Sequence, residues 1–429
     1  MVLDIKVRLG AMVGGQYMVW GCYLISLGNF LSHAGMAQYI GWFYAVQCVV
    51  SLFMPAAAGY AADRWSGARS MLGICNVMVG AFMGLAGWYA VTAAKVEFGV
   101  LFPLFAMGTA AFMPTISLSN TVIFKSLRDA GINADAAFPR IRLFGTLGFI
   151  CGMLTVNFAG LQSSGYQLVV ASALAMCVAG YSLTLPRCEA SGGPSLWVKA
   201  LLMLRSRETG VFFMFCILIG VALQVTNSYG NVYISQFGSL PGFASTWGAA
   251  NANAIISVSQ VSEAACMFLL PFFLRRLGVR KVILIAVIAW SVRFLLLSLG
   301  DTGHGLWLLI ASGLVYGVAF DFFNIAGNVY VDRHADASVR ASAQGLFMAM
   351  SSGIGGTIGL LAAQKIANTV VFSQPTPETR YGGWVDFWLI FAVYALVIAL
   401  LFYIWMKCSS GSGASKLSKN RSSSSSVTR

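Results

Sequence analysis

The sequence predicts an all-α integral membrane protein whose twelve transmembrane helices form two six-helix halves. Three observations support this prediction. Long, nearly uncharged apolar runs recur along the chain, and basic residues concentrate in alternate connections between those runs. A short polar segment also divides the runs into two sets of six, which share a weak repeat.

The composition indicates that most of the chain is surrounded by lipid. Hydrophobic residues make up 58% of the 429 residues and charged residues only 10%, whereas a typical soluble domain carries roughly 25% charged residues. A soluble fold has too little polar surface to cover this much apolar area. A transmembrane β-barrel would show alternating segments of about 10 residues, so long continuous runs favour helices.

The apolar runs are long enough for helices to cross the hydrocarbon core, which needs about 20 residues. The first run continues to about Leu31. That is too long for the apolar part of a cleaved signal peptide, so we expect it to be the first spanning helix. The twelve expected spans are 11–31, 37–62, 70–92, 98–124, 138–160, 165–185, 209–234, 247–274, 281–299, 303–331, 340–371 and 384–406.

The distribution of lysine and arginine predicts the orientation of these helices. One set of alternate connections carries most of the basic residues, whereas the other set carries only Lys95 and Arg380, together with Lys365 near the end of the eleventh run. Basic loops remain on the cytoplasmic side of a membrane. Both termini are therefore expected in the cytoplasm, and the even number of spans agrees with this orientation.

A small, polar segment at residues 188–195 marks the middle of the chain. Its position divides the runs into two sets of six, and the serine-rich, basic end of the chain is typical of disorder. The expected regions are an N-terminal half at 1–187, a cytoplasmic linker at 188–207, a C-terminal half at 208–407 and a disordered tail at 408–429.

A weak repeat relates the two halves. Pro55 and Arg64 lie around the end of the second run nine residues apart, and Pro271 and Arg280 lie around the end of the eighth run with the same spacing. Two similar halves with basic connectors at equivalent points favour the major facilitator architecture.

The sequence lacks the patterns that are typical of other classes of protein. The net charge of +13 lies in short clusters between apolar runs, which argues against nucleic-acid binding. The nine cysteines occur singly, as small core residues do, without the spacing of disulfides or metal ligands. No metal-ligand cluster, nucleophile motif or phosphate-binding loop is present, so we expect neither an enzyme nor a bound cofactor.

Apart from Lys365 and residues at the ends of the runs, four ionisable residues interrupt the apolar runs: Arg142, Glu263, Arg293 and Asp321. Each costs at least about 2.5–3.5 kcal/mol near the bilayer centre unless it is paired or hydrated. An ion pair between helices, or a side chain that reaches the membrane surface, would explain them without a functional role. Carboxylates are too short to reach far, so Glu263 and Asp321 are candidates for proton coupling. A carboxyl group whose contact with an arginine changes between two conformations can bind and release a proton.

Amide and aromatic residues accompany these charges at helical spacing. The faces are Arg142 with Thr146 and Phe149, Gln224 with Asn227, Gln260 with Glu263, and Tyr316 with Phe320 and Asp321. Hydrogen bonds between helices would explain any single face, but four faces favour a lined cavity. Aromatic surfaces and amides suit a neutral solute with a planar base and hydroxyl groups. Composition does not separate a nucleoside from a sugar or an aromatic drug.

Several motifs carry a family resemblance. They are MPTISLSNT (113–121), FPRIRLFGTLGFI (138–150), LQVTNSYGN (223–231), SVSQVSE (257–263), VYGVAFDFFNIAGNVYV (315–331) and VRASAQGLFM (339–348). Through them, over about residues 11–406, the chain resembles the nucleoside:proton symporter family of the major facilitator superfamily, specifically its NupG-type nucleoside permeases and their xanthosine-transporting relatives. The pairing of FDFFN with RASAQG is the most specific signal.

The resemblance implies a monomeric importer of purine or pyrimidine nucleosides in the bacterial cytoplasmic membrane. It implies alternating access driven by the proton gradient, with no cofactor. Among the two carboxylates it favours Asp321 over Glu263 for proton coupling. The nucleoside-contacting residues implied are Arg142, Thr146, Phe149, Gln224, Asn227, Gln260, Glu263, Tyr316, Phe320 and Asp321.

Two alternatives remain open at this point. A major facilitator transporter of another small solute, such as a sugar or a drug, would have the same helices and a similar cavity. A membrane sensor would bind nucleosides without moving them. Such a sensor is expected to carry a soluble output domain, of which the sequence shows no sign beyond the serine-rich tail.

Overall fold

The computed structural model describes residues 2–186, 202–335 and 340–424. Within these ranges, ten helices are long and apolar enough to cross a membrane. The 22-residue helix Val2–Tyr23 and the 17-residue helix Tyr166–Ser182 complete a bundle of twelve. The predicted all-helical membrane fold is therefore confirmed.

We number the twelve helices in chain order. They are α1 (Val2–Tyr23), α2 (Ala37–Ala61), α3 (Gly67–Thr92), α4 (Phe98–Asp129), α5 (Ala137–Phe158), α6 (Tyr166–Ser182), α7 (Glu208–Ser239), α8 (Ala252–Leu277), α9 (Val279–Leu299), α10 (Leu306–His334), α11 (Ala343–Phe372) and α12 (Pro377–Cys408). Each corresponds to one of the twelve spans expected from hydropathy.

Two expected regions fall partly outside the described residues. Most of the linker expected at 188–207 does so, and so do the last five residues of the tail expected to be disordered at 408–429. The structure continues the last helix to Ser424. Disorder of the tail in solution stays a prediction, because its serine-rich composition gives a helix no apolar face to bury.

Three of the spanning segments are interrupted within the membrane. After a turn, α1 is followed by the short helix Leu27–His33. The segment α7 consists of helices Arg207–Leu223 and Val225–Gln236, which meet at Gln224. A π-helical stretch, Ala349–Gly355, lies within α11. Irregular backbone at membrane depth is tolerated where protein or a cavity surrounds it, so these interruptions point to the interior of the bundle.

The two halves repeat the same helix packing. In the first half α1 packs against α5, α2 against α4 and α3 against α6. In the second half the helices six positions later form the equivalent pairs: α7 with α11, α8 with α10 and α9 with α12. The halves meet where α2 packs against α11 and α5 against α8.

Amide side chains join the halves at one end of the bundle, which we call the distal end because it lies opposite the start of α1. Gln162, just beyond α5, accepts hydrogen bonds at Oε1 from Asn231 Nδ2 (3.1 Å) and from the backbone NH of Asn253 (3.3 Å). Asn157 Nδ2 donates to Asn251 Oδ1 at 2.7 Å. We call these five residues the amide seam. All except Asn251 are buried.

A second contact at the distal end depends on Gln364 of α11. Its Oε1 accepts hydrogen bonds from the backbone NH of Gly41 in α2 and from the Tyr229 hydroxyl (3.0 Å). Its Nε2 donates to the carbonyl oxygen of Ala37 at 3.1 Å. The distal end is thus closed by buried hydrogen bonds between the halves.

We predict that Gln162→Ala opens the distal end. The substitution leaves Asn231 and the Asn253 backbone without the oxygen that they share, and an unsatisfied buried polar group costs about 1–3 kcal/mol. Spin labels are attached at Ser163→Cys and Gly242→Cys in a background without the native cysteines. The distance between the two labels, measured by pulsed electron paramagnetic resonance, should be longer and more broadly distributed in the Gln162 variant than in the parent. Gln236→Ala is the matched control, because Gln236 accepts a hydrogen bond from Trp384 within its own half. Identical distance distributions in the Gln162 variant and the parent would contradict the prediction.

Candidate functional site

The candidate site lies between the halves, where α5 packs against α8 and α8 against α10. These helices carry Arg142, Glu263 and Asp321, respectively. The charge of Arg142 is within electrostatic reach of both carboxylates, and the two carboxylates are within reach of each other. The fold therefore brings together three of the four intramembrane charges.

Asp321 is the most enclosed member of this cluster. Its exposed fraction is 2%, and within the described residues its Oδ2 has no hydrogen-bond partner. Arg142 and Glu263 are half-buried. Arg142 forms no direct ion pair with either carboxylate in the described part of the chain. One cation thus faces two acidic groups, and a single added proton would make the cluster neutral.

An aromatic wall from α1 and α5 supports Arg142. The guanidinium carbon lies 4.2 Å from the centre of the Tyr17 ring, which is a cation–π contact. The Trp20 ring lies 6.0 Å from the Tyr17 ring and meets the Phe149 ring edge-on, also at 6.0 Å. Thr146 is half-buried on the same face of α5 as Arg142.

The prediction from sequence omits three residues of this wall: Tyr17, Trp20 and Gln47. Trp20 Nε1 donates to Gln47 Oε1 on α2 at 3.3 Å, which joins α2 to the wall. The available signal was the spacing of Tyr17 and Trp20, which lie one helical turn apart. The other faces of the site were predicted from amide and aromatic residues at helical spacing, and the same criterion applies to this part of α1 and α2.

The opposite wall comes from α7 and α10. The rings of Tyr316 and Phe320 are stacked, with centres 5.3 Å apart and planes 17° apart. The side chain of Asn227 lies close to the Tyr316 hydroxyl group and donates to Gln224 Oε1 at 3.2 Å. Gln224 lies at the interruption of α7. Stacked rings and amides therefore meet on this wall, as the spacing of these residues predicts.

The remaining expected residues lie nearby, without direct contact across the site. Gln260 is half-buried one helical turn before Glu263 on α8. Phe149 packs against Trp20 and Phe320 against Tyr316, and no ring contact joins Phe149 to Phe320 among the described residues. A base held between these two rings therefore stays a prediction. In the described ranges, no three histidine, cysteine or acidic side chains are placed to hold a metal ion.

Glycines allow α1 and α5 to approach closely beside Phe149. A Cβ atom at Gly21 would collide with the carbonyl oxygen of Phe149, and a Cβ atom at Gly148 would collide with that of Gly14. Small residues permit this kind of backbone contact between membrane helices. The position of the first wall therefore depends on the absence of side chains at these two residues.

Comparison with known proteins identifies relatives along nearly the whole chain. The family model described as "Nucleoside H+ symporter" matches residues 3–410. The xanthosine permease of Escherichia coli is 34% identical over 415 residues, which cover 94% of this chain and 96% of that protein. The nucleoside permease NupG of Escherichia coli is 34% identical over 417 residues, with the same coverage.

Solved structures agree with these sequence matches. The crystal structure of the nucleoside transporter NupG superimposes with a TM-score of 0.86 at 33% identity, covering 94% of this chain and 99% of that one. The D-xylose–proton symporter gives a TM-score of 0.65 at 14% identity over 93% of this chain and 97% of that one. The second comparison shows a shared major facilitator fold only.

We predict that Gly148→Ala destabilises the protein by about 1–3 kcal/mol, the usual cost of overpacking a tight interface. The added methyl group must push α1 away from α5. The measurement is the melting temperature of purified protein, followed by fluorescence-detected size-exclusion chromatography. The matched control is Gly180→Ala on α6, because a Cβ atom there meets no other atom within 4 Å. Equal melting temperatures for the two variants would contradict the prediction.

Proposed function

Because this chain belongs to the nucleoside H+ symporter family, we propose that it imports nucleosides together with protons by alternating access. The observation that carries the proposal is the cluster of Arg142, Glu263 and Asp321 between two walls of aromatic and amide side chains. We further propose a multi-pass protein of the bacterial cytoplasmic membrane with both termini in the cytoplasm. It would act as a monomer, with the proton gradient as its energy source and no cofactor.

The chemistry of the two walls supports a nucleoside as the substrate. Phe149 and Phe320 offer flat apolar faces on opposite sides of the site, suited to a planar base. Asn227, Gln224 and Gln260 offer both donors and acceptors, which match base edges and ribose hydroxyls. Glu263 would accept hydrogen bonds from hydroxyl groups, and Thr146 and Tyr316 would contribute further polar contacts. A doubly charged phosphate would meet the two carboxylates, so a neutral solute is favoured.

Asp321 is proposed as the residue that carries the proton. It is buried, its Oδ2 has no hydrogen-bond partner among the described residues, and Arg142 is within electrostatic reach. Protonation removes one of the two negative charges that face Arg142. A change in the distance between Arg142 and Asp321 during transport would then bind the proton on one side of the membrane and release it on the other.

In this proposal, the closed distal end indicates from which side of the membrane the substrate site can be reached. With both termini in the cytoplasm, the distal end faces outward, so the amide seam and the Gln364 contacts close the site to the outside. Import requires these contacts to break while the cytoplasmic ends approach each other. Rocking of one half against the other around a central site is the usual motion of such folds.

The decisive test is uptake of labelled uridine and adenosine by cells that lack their own nucleoside transporters, with and without a protonophore. Accumulation that the protonophore abolishes is expected. Competition by unlabelled sugars but not by nucleosides would instead indicate a transporter of another solute. Nucleoside binding by purified protein without net uptake would indicate a sensor.

We predict that Asp321→Asn abolishes accumulation but preserves exchange of nucleoside between the two sides. The amide retains the shape of the carboxyl group but cannot carry a proton. Proteoliposomes with an imposed proton gradient measure accumulation, and preloaded vesicles measure exchange. Asp386→Asn, which changes an exposed carboxylate of α12, is the matched control. Accumulation against a gradient by the Asp321 variant would exclude this residue as the proton carrier.

We also predict that Tyr17→Leu raises the KM for uridine about fivefold, equivalent to about 1 kcal/mol. The substitution removes the ring on which the Arg142 guanidinium rests. Initial uptake rates over a range of uridine concentrations give the KM. Tyr17→Phe retains the ring and should behave as the parent does. An unchanged KM in the leucine variant would show that the contact does not affect binding.

A further inference from the structure

Arg293 is a buried cation within the membrane that the charge cluster does not include. It lies in α9 with an exposed fraction of 4%. A packing ion pair was one explanation from sequence, but among the described residues Arg293 forms no ion pair. Instead, its guanidinium lies over the ring of Tyr316 in a cation–π contact. An arginine kept in this environment at substantial cost needs another role.

Two oxygen atoms and one aromatic ring surround the Arg293 guanidinium. One terminal nitrogen donates to Ser259 Oγ on α8 at 3.3 Å and to the carbonyl oxygen of Ser312 on α10 at 2.8 Å. The guanidinium carbon lies 4.4 Å from the centre of the Tyr316 ring. Nε has no hydrogen-bond partner among the described residues. The Tyr316 ring is therefore a main contact of the Arg293 guanidinium, in addition to the two oxygen atoms.

Tyr316 is held from several directions. Besides Arg293, the ring meets Trp290 edge-on, with centres 5.9 Å apart and planes at 89°. Phe320 stacks against it in the wall of the site, and the Tyr316 hydroxyl group lies close to the side chain of Asn227. Tyr316 thus connects a buried cation on α9 to a ring and an amide that face the proposed nucleoside site.

We propose that Arg293 is a positioning residue that holds the Tyr316 ring and thereby sets the geometry of Phe320 and Asn227 in the nucleoside site. The inference rests on the proposed function and extends it to a residue outside the site. Arg293 determines how tightly the nucleoside binds, whereas proton movement belongs to Arg142, Glu263 and Asp321.

The shape of the guanidinium explains why this position holds arginine. A flat guanidinium can stack on a ring while its in-plane NH groups donate to oxygen atoms at its edge. A lysine ammonium is a compact charge and cannot satisfy the ring, Ser259 and Ser312 in the same way. Arg293→Lys should therefore restore only part of the function of Arg293.

The test compares uridine transport by proteoliposomes containing the parent, Arg293→Met, Arg293→Lys and Ser259→Ala. The methionine variant should raise the KM on the order of tenfold, as expected for loss of a desolvated cation–π contact, with the maximal rate changed by less than about twofold. The lysine variant should lie between it and the parent. Ser259→Ala, which removes one hydrogen bond but leaves the ring contact, should change the KM by less than about threefold.

A double-mutant cycle separates positioning from a general effect on folding. If Arg293 acts through Tyr316, the double variant Arg293→Met with Tyr316→Leu should have the KM of Tyr316→Leu alone. Additive effects would overturn the proposal, and so would an unchanged KM in Arg293→Met. If Arg293→Met cannot be purified, the cycle is run with Arg293→Lys, which keeps the charge.

The results also separate a failure of this inference from a failure of the proposed function. No uridine transport by the parent protein would reject the proposed function itself. Loss of accumulation with exchange and KM unchanged in Arg293→Met would place Arg293 in the proton pathway and overturn its positioning role alone.

Discussion

A lipid bilayer offers no hydrogen bonds, so a polar group inside the bundle is costly unless the protein supplies a partner for it. This constraint determines where the few polar residues of the chain lie. Arg142 rests on Tyr17 and faces two carboxylates, and Arg293 donates from one nitrogen to two oxygen atoms while its guanidinium lies over the Tyr316 ring. The amides at the distal end satisfy each other across the two halves. The polar side chains are therefore concentrated where function requires them, and the lipid-facing surface stays apolar.

The contacts within a half differ physically from those between the halves. Inside the first half, α1 and α5 approach so closely at Gly148 that no side chain fits, and this packing resists separation because all of its dispersion contacts would be lost together. Between the halves, hydrogen bonds between side chains hold the distal end, and each contributes only about 0.6 kcal/mol in a membrane protein. Such bonds can be exchanged for others at modest cost. Rigid halves joined by replaceable bonds are suited to alternating access.

The positions of the helices could be predicted from sequence because the hydropathy of a segment depends only on its own residues. It does not depend on which other helices pack against that segment. The site residues were predictable because Arg142, Glu263 and Asp321 interrupt apolar runs, and because family motifs surround them. Tyr17 was missed because a tyrosine in an apolar helix looks like any other core residue until an arginine is placed over it. Gln162 was missed because it lies beyond the end of a span, where a polar residue is ordinary.

The number of spans, their expected orientation, the division into two halves and the residue types available for chemistry can all be predicted without knowing the fold. These properties follow from local composition and from motifs that are contiguous in the chain. The packing of the helices is needed to show that Arg142 lies within reach of carboxylates from the other half, that Arg293 meets Tyr316, and that Gln162 and Gln364 close the distal end. Those contacts join residues on different helices, and the contacts between the halves join residues far apart in sequence. Their partners depend on how twelve apolar surfaces pack together, and no local pattern encodes that arrangement.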